Sequence, residues 1–265
     1  MVRQRSGLPL IVAIGAGNVA SHIIPALEAA GVGEVAQVYS RTIRSANALV
    51  SRLWNASATD NLDLIIPDAD IYVVSLVDSA VKDVVAKLKS NNALWVHTSG
   101  SLPLSVLSGL SPRTGVFYPL QTFSRSTALN VADVPLFIEG STPGVEAQIR
   151  EIGEKVFEKV IHADSQLRKK MHVAAVFACN FTNYLWTVAD DLLKKEGLDL
   201  SVLFPLLNET LRKAETIHGG PAAGQTGPAV RGDDEVMKSH RDMLPKHLAT
   251  IYQMLSEAIN DRHKS

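Results

Sequence analysis

The apolar run LPLIVAI at residues 8–14 stops at a glycine and passes directly into GAGNVA (Gly15, Ala16, Gly17, Asn18, Val19, Ala20) and a helix-forming stretch over residues 18–30. Few patterns restrict a chain more. A run of about seven apolar residues bounded by glycine reads as a parallel strand covered on both faces. A helix that begins three residues later must double back over the sheet, so the next strand, residues 35–39, lies parallel to the first across a right-handed crossover. Gly31 is placed to end the helix in a left-handed conformation, and Pro25 predicts a bend within it.

The same alternation continues down the chain. Helical patterns at residues 45–54 and 81–88 separate strand-like runs at 71–77 and 94–97, and further strands are expected at 115–118, 136–139 and 160–162, the last after an amphipathic helix at 143–159. This predicts an α/β, doubly wound, mainly parallel sheet of Rossmann type over residues 1–164. Beyond residue 164 the pattern changes. Residues 165–196 hold neither Gly nor Pro, Gly197 closes that helix, and helices follow at 200–217, 233–244 and 245–263, giving an all-α second domain over 165–265. Between them lies the Gly/Pro-rich loop GGPAAGQTGPAVRGD at 219–233, of a length that often serves function.

Lys and Arg total 26 against 27 Asp and Glu, a net charge of −1, so no chain-wide field exists to hold nucleic acid or an anionic membrane. The segment before the first strand carries Arg3 and Arg5 but no long apolar region, and no stretch has the roughly 18 apolar residues of a membrane span. The one cysteine, Cys179, excludes an internal disulfide and suits a reducing, cytoplasmic setting. It lies on an apolar helix face with no activating charge, as a buried structural cysteine would. The histidines form no ligand-spaced pair with a carboxylate on one helix, so no metal is expected. Trp54, Trp95 and Trp186 read as core or interface residues.

Gly15, Gly17 and Ala20 form the G-x-G-x-x-A arrangement of a dinucleotide site. Gly15 makes the tight turn, Gly17 lets the backbone approach a pyrophosphate at the helix N-terminus, and Ala20 permits close packing on the sheet. Asn18 and Val19 complete the turn. No Asp or Glu follows the second strand to hold the ribose hydroxyls of NAD. Ser40, Arg41, Thr42 and Arg44 stand there instead, and neutral donors beside guanidinium groups suit a 2′-phosphate, which favours NADP; a solvated basic turn is the alternative.

GAGNVA at Gly15, YSRT at Tyr39, HTSGS at His97, YPLQTF at Tyr118, HVAAVFACNFTN from His172 and GPAVRGD at Gly227 resemble, together, the Rossmann-like proteins that carry the helical domain of unknown function 2520. These are similar in turn to the 6-phosphogluconate dehydrogenase and pyrroline-5-carboxylate reductase superfamily. The resemblance implies a helical half that dimerises and a catalytic cleft between the two domains, and it supplies no substrate. Position 176, where the hydroxyacid dehydrogenases of that superfamily place a catalytic lysine, is Val.

Three polar clusters fall at the carboxyl ends of strands, where ligands of open α/β sheets bind: residues 75–78 with Ser75, Leu76 and Val77 toward the cofactor, 97–101, and 118–123. Ser99, Gly100 and Ser101 either receive a substrate carboxylate or carbonyl or form a serine-rich turn. The Gln121 amide either enters the cleft or ties down a loop. On the long helix His172, Cys179 and Asn183 fall within about 20° of one face and Asn180 about 80° away. His172 is thereby a candidate proton donor, with Asn180 or Asn183 orienting the substrate, against the alternative of partnered groups at a helix contact. Arg231 reads as an anion clamp or a loop anchor, and Asp233 as a helix cap. The whole describes an NADP-dependent oxidoreductase moving hydride to or from a small polar carbonyl, imine or hydroxyacid, and acting as a homodimer. A non-catalytic NADP-binding sensor or scaffold is the other class. Calorimetric titration at matched ionic strength checks the cofactor: NADPH binds more tightly than NADH by about tenfold or more, and Gly17→Asp abolishes both.

Overall fold

A computed structural model describes residues 7–264 of the chain; Arg3 and Arg5 lie outside them. The first part runs β1 (Leu10–Ile14), α1 (Asn18–Ala29), β2 (Glu34–Tyr39), α2 (Ile43–Val50), β3 (Ser57–Thr59), β4 (Ile71–Val74), α3 (Asp78–Val85), β5 (Leu94–His97), β6 (Thr114–Pro119), β7 (Leu136–Gly140), α4 (Pro143–Glu154) and β8 (Val160–His162). The eight strands form one sheet in the order β3-β2-β1-β4-β5-β6-β7-β8, parallel throughout except where β6 meets β7. The expected mainly parallel sheet is therefore present. Strand β3 has no counterpart in the pattern reading, because three residues at a sheet edge carry too little periodicity to register.

Burial on both faces of the sheet explains the unbroken apolar runs. Ile11 and Ala13 of β1 face one core with Ile23 and Ile24 of α1, while Val12 and Ile14 face a second core with Tyr72 and Trp95. The indole of Trp95 stacks on the Tyr72 ring at 4.0 Å. Trp54, by contrast, is exposed. Glu28, buried at the end of α1, accepts from the Val35 and Trp54 amides at 3.1 and 3.0 Å, which fixes where the chain re-enters the sheet.

Helix α5 (Ser165–Ala175) follows, capped by the Asp164 carboxylate, and leads through a π-helical turn, Val176–Phe181, into α6 (Thr182–Lys194). The first compact unit ends at Asn183, later than the expected boundary at residue 164, because α5 is bound back onto the sheet through Arg168. The second unit, from Tyr184, holds the rest of α6, α7 (Phe204–Thr216), α8 (Pro228–Arg231), α9 (Asp234–Asp242) and α10 (Lys246–Lys264). Gly197 terminates the α6 segment at φ +74, as expected. Helix α8 lies within the Gly/Pro-rich loop, and Asp233 caps α9 by accepting from Val236 N. Within this unit α8 and α9 pack on α10, and His240 bonds the Tyr252 hydroxyl at 2.8 Å. Among the described residues no helix is long and apolar enough to cross a membrane.

Two left-handed glycines separate backbone conformation from packing. Gly31 has φ +67 with open space where a Cβ would stand, whereas Gly15 has φ +117 and a Cβ there would land on the Ser75 carbonyl. Gly31→Ala therefore costs about 1–2 kcal/mol of stability from conformation alone. Gly15→Ala costs more, about 3 kcal/mol or above, because β4 must also move. Urea unfolding of the two variants measures the difference.

Candidate functional site

The carboxyl ends of β1, β2 and β4 converge on the glycine turn. The Gly15 amide donates to Tyr39 O at 2.8 Å, drawing the turn against β2. Gly17 is different: its φ is −80 and nothing lies within 4 Å of where a Cβ would stand. The fold does not require glycine at that point, so the room above it is free for a ligand. No side chain caps the amides that open α1 and no acidic residue stands in its first turn, leaving a positive helix end with donors available to a phosphate. Ser40 follows β2, and Arg41, Thr42 and Arg44 are exposed at the start of α2, where the Thr42 hydroxyl donates to Ser45 Oγ at 2.9 Å. At the end of β4 the Ser75 hydroxyl accepts from Thr98 Oγ1 at 3.2 Å, Leu76 is half-buried, and Val77 is exposed just before α3. The open amides, hydroxyls and guanidinium groups gathered here are a donor set that fits a diphosphate over Gly17 and a 2′-phosphate near Arg41.

A second group of side chains gathers at the ends of β5 and β6. His97 is fully buried; its Nδ1 accepts from Ser99 N at 3.2 Å, and the Pro103 carbonyl is the other polar group that the ring faces. Ser99 Oγ accepts from Ser101 N and Leu102 N at 3.1 and 3.0 Å, so this hydroxyl organises the turn. Gly100 lies against the Tyr118 ring so closely that a Cβ would stand 2.6 Å from Cζ. Beneath them the fully buried Arg168 guanidinium pairs with Glu139 and donates to Ala163 O at 2.9 Å, Leu102 O at 3.0 Å and Ser165 Oγ at 3.2 Å.

One turn beyond Arg168 on the same helix, His172 Nδ1 lies 3.2 Å from the Tyr118 hydroxyl. Burial, with the Asp78 carboxylate adding to it, pushes the Tyr118 phenol above its usual range, and the Arg168 cation opposes that rise. The pair borders a hollow of about 470 Å³ walled mainly by apolar residues, including Leu120, Met171 and Val176, with Gln121, Thr122 and Asn180 as its other polar groups. A larger hollow of about 750 Å³ lies around Pro9, Ala69 and Ala93 at the opposite, amino-terminal end of the strands, away from where open α/β sheets bind ligands.

The π turn decides which helix residues reach the hollow. Its i→i+5 pattern amounts to one inserted residue, so whatever follows is rotated by roughly 100° from the α-helical expectation. Asn180, expected about 80° from His172 on α-helical spacing, lines the hollow with it, and so does Cys179, which is exposed. Asn183, expected on the His172 face, is carried past and does not line the hollow. Arg231 is exposed at the end of α8 in the second unit. Tyr118 belongs to the 118–123 cluster expected at the site, though the pattern assigns it no role of its own, and Arg168 carries no signal beyond standing four residues before His172 on one helix.

Residues 10–98 match the family model described as NADP oxidoreductase, coenzyme F420-dependent, and residues 134–259 match the domain of unknown function DUF2520. Among solved structures, BF3122 from Bacteroides fragilis, provisionally named an NADP oxidoreductase, is 40% identical with a TM-score of 0.87, over 96% of this chain and 98% of that one. A reductive aminase from Aspergillus terreus in complex with NADPH and ethyl-5-oxohexanoate is 15% identical, TM-score 0.65, over 95% and 93%. A 1-pyrroline-5-carboxylate reductase from Streptococcus pyogenes is 13% identical, TM-score 0.64, over 97% and 100%. The last two likenesses are of fold. No curated protein matches the chain.

His97 provides a measurable signature of this site. Burial, and secondarily the Arg168 cation, lowers its pKa from the ordinary 6.5 to about 4. As the pH falls below 6.5 the unfolded chain takes up a proton that the folded chain refuses until about 4. Stability from this group is therefore present above 6.5 and lost across that window, about 3 kcal/mol in all. Urea unfolding between pH 7.5 and 4.5 is expected to show this slope in the wild type and a shallower one in His97→Gln.

Proposed function

The chain belongs to the family of BF3122, an NADP oxidoreductase domain of the coenzyme F420-dependent type joined to DUF2520, and from that membership we propose that it is an NADPH-dependent reductase of small carbonyl or imine compounds, running in reverse on the corresponding hydroxyacids or amines. One observation carries the reading: a hydrogen-bonded Tyr118–His172 pair at the wall of a mainly apolar hollow. Reducing a C=O or C=N bond takes one hydride and one proton, and NADPH supplies the hydride when bound. The remaining work falls to side chains of this chain.

The glycine turn holds the diphosphate, and Ser40, Arg41, Thr42 and Arg44 receive the 2′-phosphate. Tyr118 keeps its proton at neutral pH because burial penalises the phenolate. The Arg168 cation works the other way, easing the charge that develops as that proton leaves. His172, within hydrogen-bond distance of the phenol oxygen, replenishes it from the solvent side. Gln121 and Asn180 orient the polar end of the substrate, and the apolar wall excludes competing water. A cytoplasmic location suits the single cysteine.

We also propose that the protein is a homodimer joined through its helical half. Among the described residues from Tyr184 onward only Ala229 and Met237 are buried, while Leu206, Leu211, Met243 and Met254 are all more than 60% exposed. A helical unit with so little interior cannot offset its chain entropy alone. A second copy offers an identical apolar face, and such obligate contacts bury about 2,000 Å² or more.

Two measurements test these readings. Turnover of NADPH, followed at the nicotinamide absorbance across a carbonyl and imine panel, is expected to fall about a hundredfold or more in Tyr118→Phe with NADPH affinity unchanged. Tight NADPH binding with no turnover of any compound would replace the reductase by a nucleotide-responsive sensor. Sedimentation equilibrium is expected to give a dimer for the wild type and a monomer of lower helicity for Leu211→Glu.

A further inference from the structure

The loop between β6 and β7 crosses back over the glycine turn. Asn18 Nδ2, in the first turn of α1, donates to Phe123 O at 3.0 Å, and His22 Nε2, one turn further along the same helix, donates to Ser124 O at 2.9 Å. The Phe123 ring lies 5.5 Å from the His22 ring and packs on the larger core. Ser124 and Ser126 bond each other through their hydroxyls at 2.9 Å. These contacts are independent of the residue they enclose. Arg125, between the two serines, reaches down and donates from Nη2 to the Ala16 carbonyl, inside the G-x-G-x-x-A turn itself.

That placement is electrostatically unbalanced. A guanidinium stands beside the amino end of α1, whose open amides already carry positive partial charge, and no acidic residue lies in the helix's first turn. Among the described residues no carboxylate pairs with Arg125; its polar partner is a neutral carbonyl. An anion seated above Gly17, where the backbone leaves open space, would be met by the helix amides from below and by the guanidinium from the side. A diphosphate matches this arrangement, having oxygens enough to take both sets of donors.

We propose that Arg125 is a pyrophosphate ligand, held over the glycine turn by a strap whose fastenings are Asn18 and His22; this rests on the reading of residues 15–20 as the NADP site. On binding, the guanidinium exchanges the Ala16 carbonyl for phosphate oxygens. The strap stays in place because its fastenings use the Phe123 and Ser124 carbonyls. Arg125 therefore acts on the part of the cofactor that NADPH and NADH share, whereas Arg41 acts on the 2′-phosphate that only NADPH carries.

Calorimetric titration of the full-length wild type, Arg125→Ala, Arg125→Lys and Arg41→Ala with NADPH and with NADH separates the two roles. Arg125→Ala is expected to weaken both nucleotides by a similar factor, about tenfold or more. Arg125→Lys should recover part of the loss and Arg41→Ala should weaken NADPH alone, with circular dichroism unchanged in each. Wild-type affinity retained for both nucleotides in Arg125→Ala would overturn the proposal, and so would a loss confined to NADPH. A wild type that binds neither nucleotide removes the cofactor reading itself, and this inference with it.

Discussion

The site depends on one buried ion pair. Arg168, with no exposed surface, reaches Glu139 on β7, the carbonyl at the end of β8, the Leu102 carbonyl after β5 and the Ser165 hydroxyl on its own helix. Removing a guanidinium from water is costly, and acceptors on both terminal nitrogens offset it, while Nε is left without a partner. Three segments, around residues 102, 139 and 163–168, are thereby held together. Because α5 is rigid, fixing Arg168 also fixes His172 one turn on, and that places the imidazole at the Tyr118 hydroxyl. Burial is the main cause of the lowered His97 and raised Tyr118 values; the same cation adds to the first and opposes the second, so the group that positions the pair also bears on its charge environment.

The glycine turn shows a different economy. Gly15 is demanded by the protein, since its φ and the Ser75 carbonyl leave no room for a side chain. Gly17 is demanded by nothing within the protein, as its backbone conformation is open to any residue and its surroundings are empty. A glycine the fold does not need is explained by what must approach it. Arg125 on the turn and the uncapped amides of α1 both favour negative charge at that point.

Local features were the legible ones. The strand-turn-helix opening, the left-handed Gly31 and Gly197, the Asp233 cap and most element positions follow from steric and hydrogen-bonding rules acting within a few residues. The helix face was misread in part. An α-helical count puts Cys179 and Asn183 beside His172; Cys179 does line the hollow with it, but with the π turn at Val176–Phe181 taking up one residue Asn180 joins them and Asn183 does not. A slip of backbone hydrogen bonding by one residue leaves no mark in side-chain periodicity.

From the sequence alone came the doubly wound sheet, the glycine turn with its basic neighbour and the helical second half, because apolar runs, glycines and prolines act on their immediate surroundings. Only the tertiary structure decided that Tyr118 meets His172 across 54 residues, that a charged Arg168 lies wholly inside, and that Arg125 rests on the turn 109 residues before it. The reason is physical. A charged or phenolic side chain reads as solvated until the acceptors that compensate its burial are known, and those acceptors are carbonyls and carboxylates supplied by other strands once the sheet has formed.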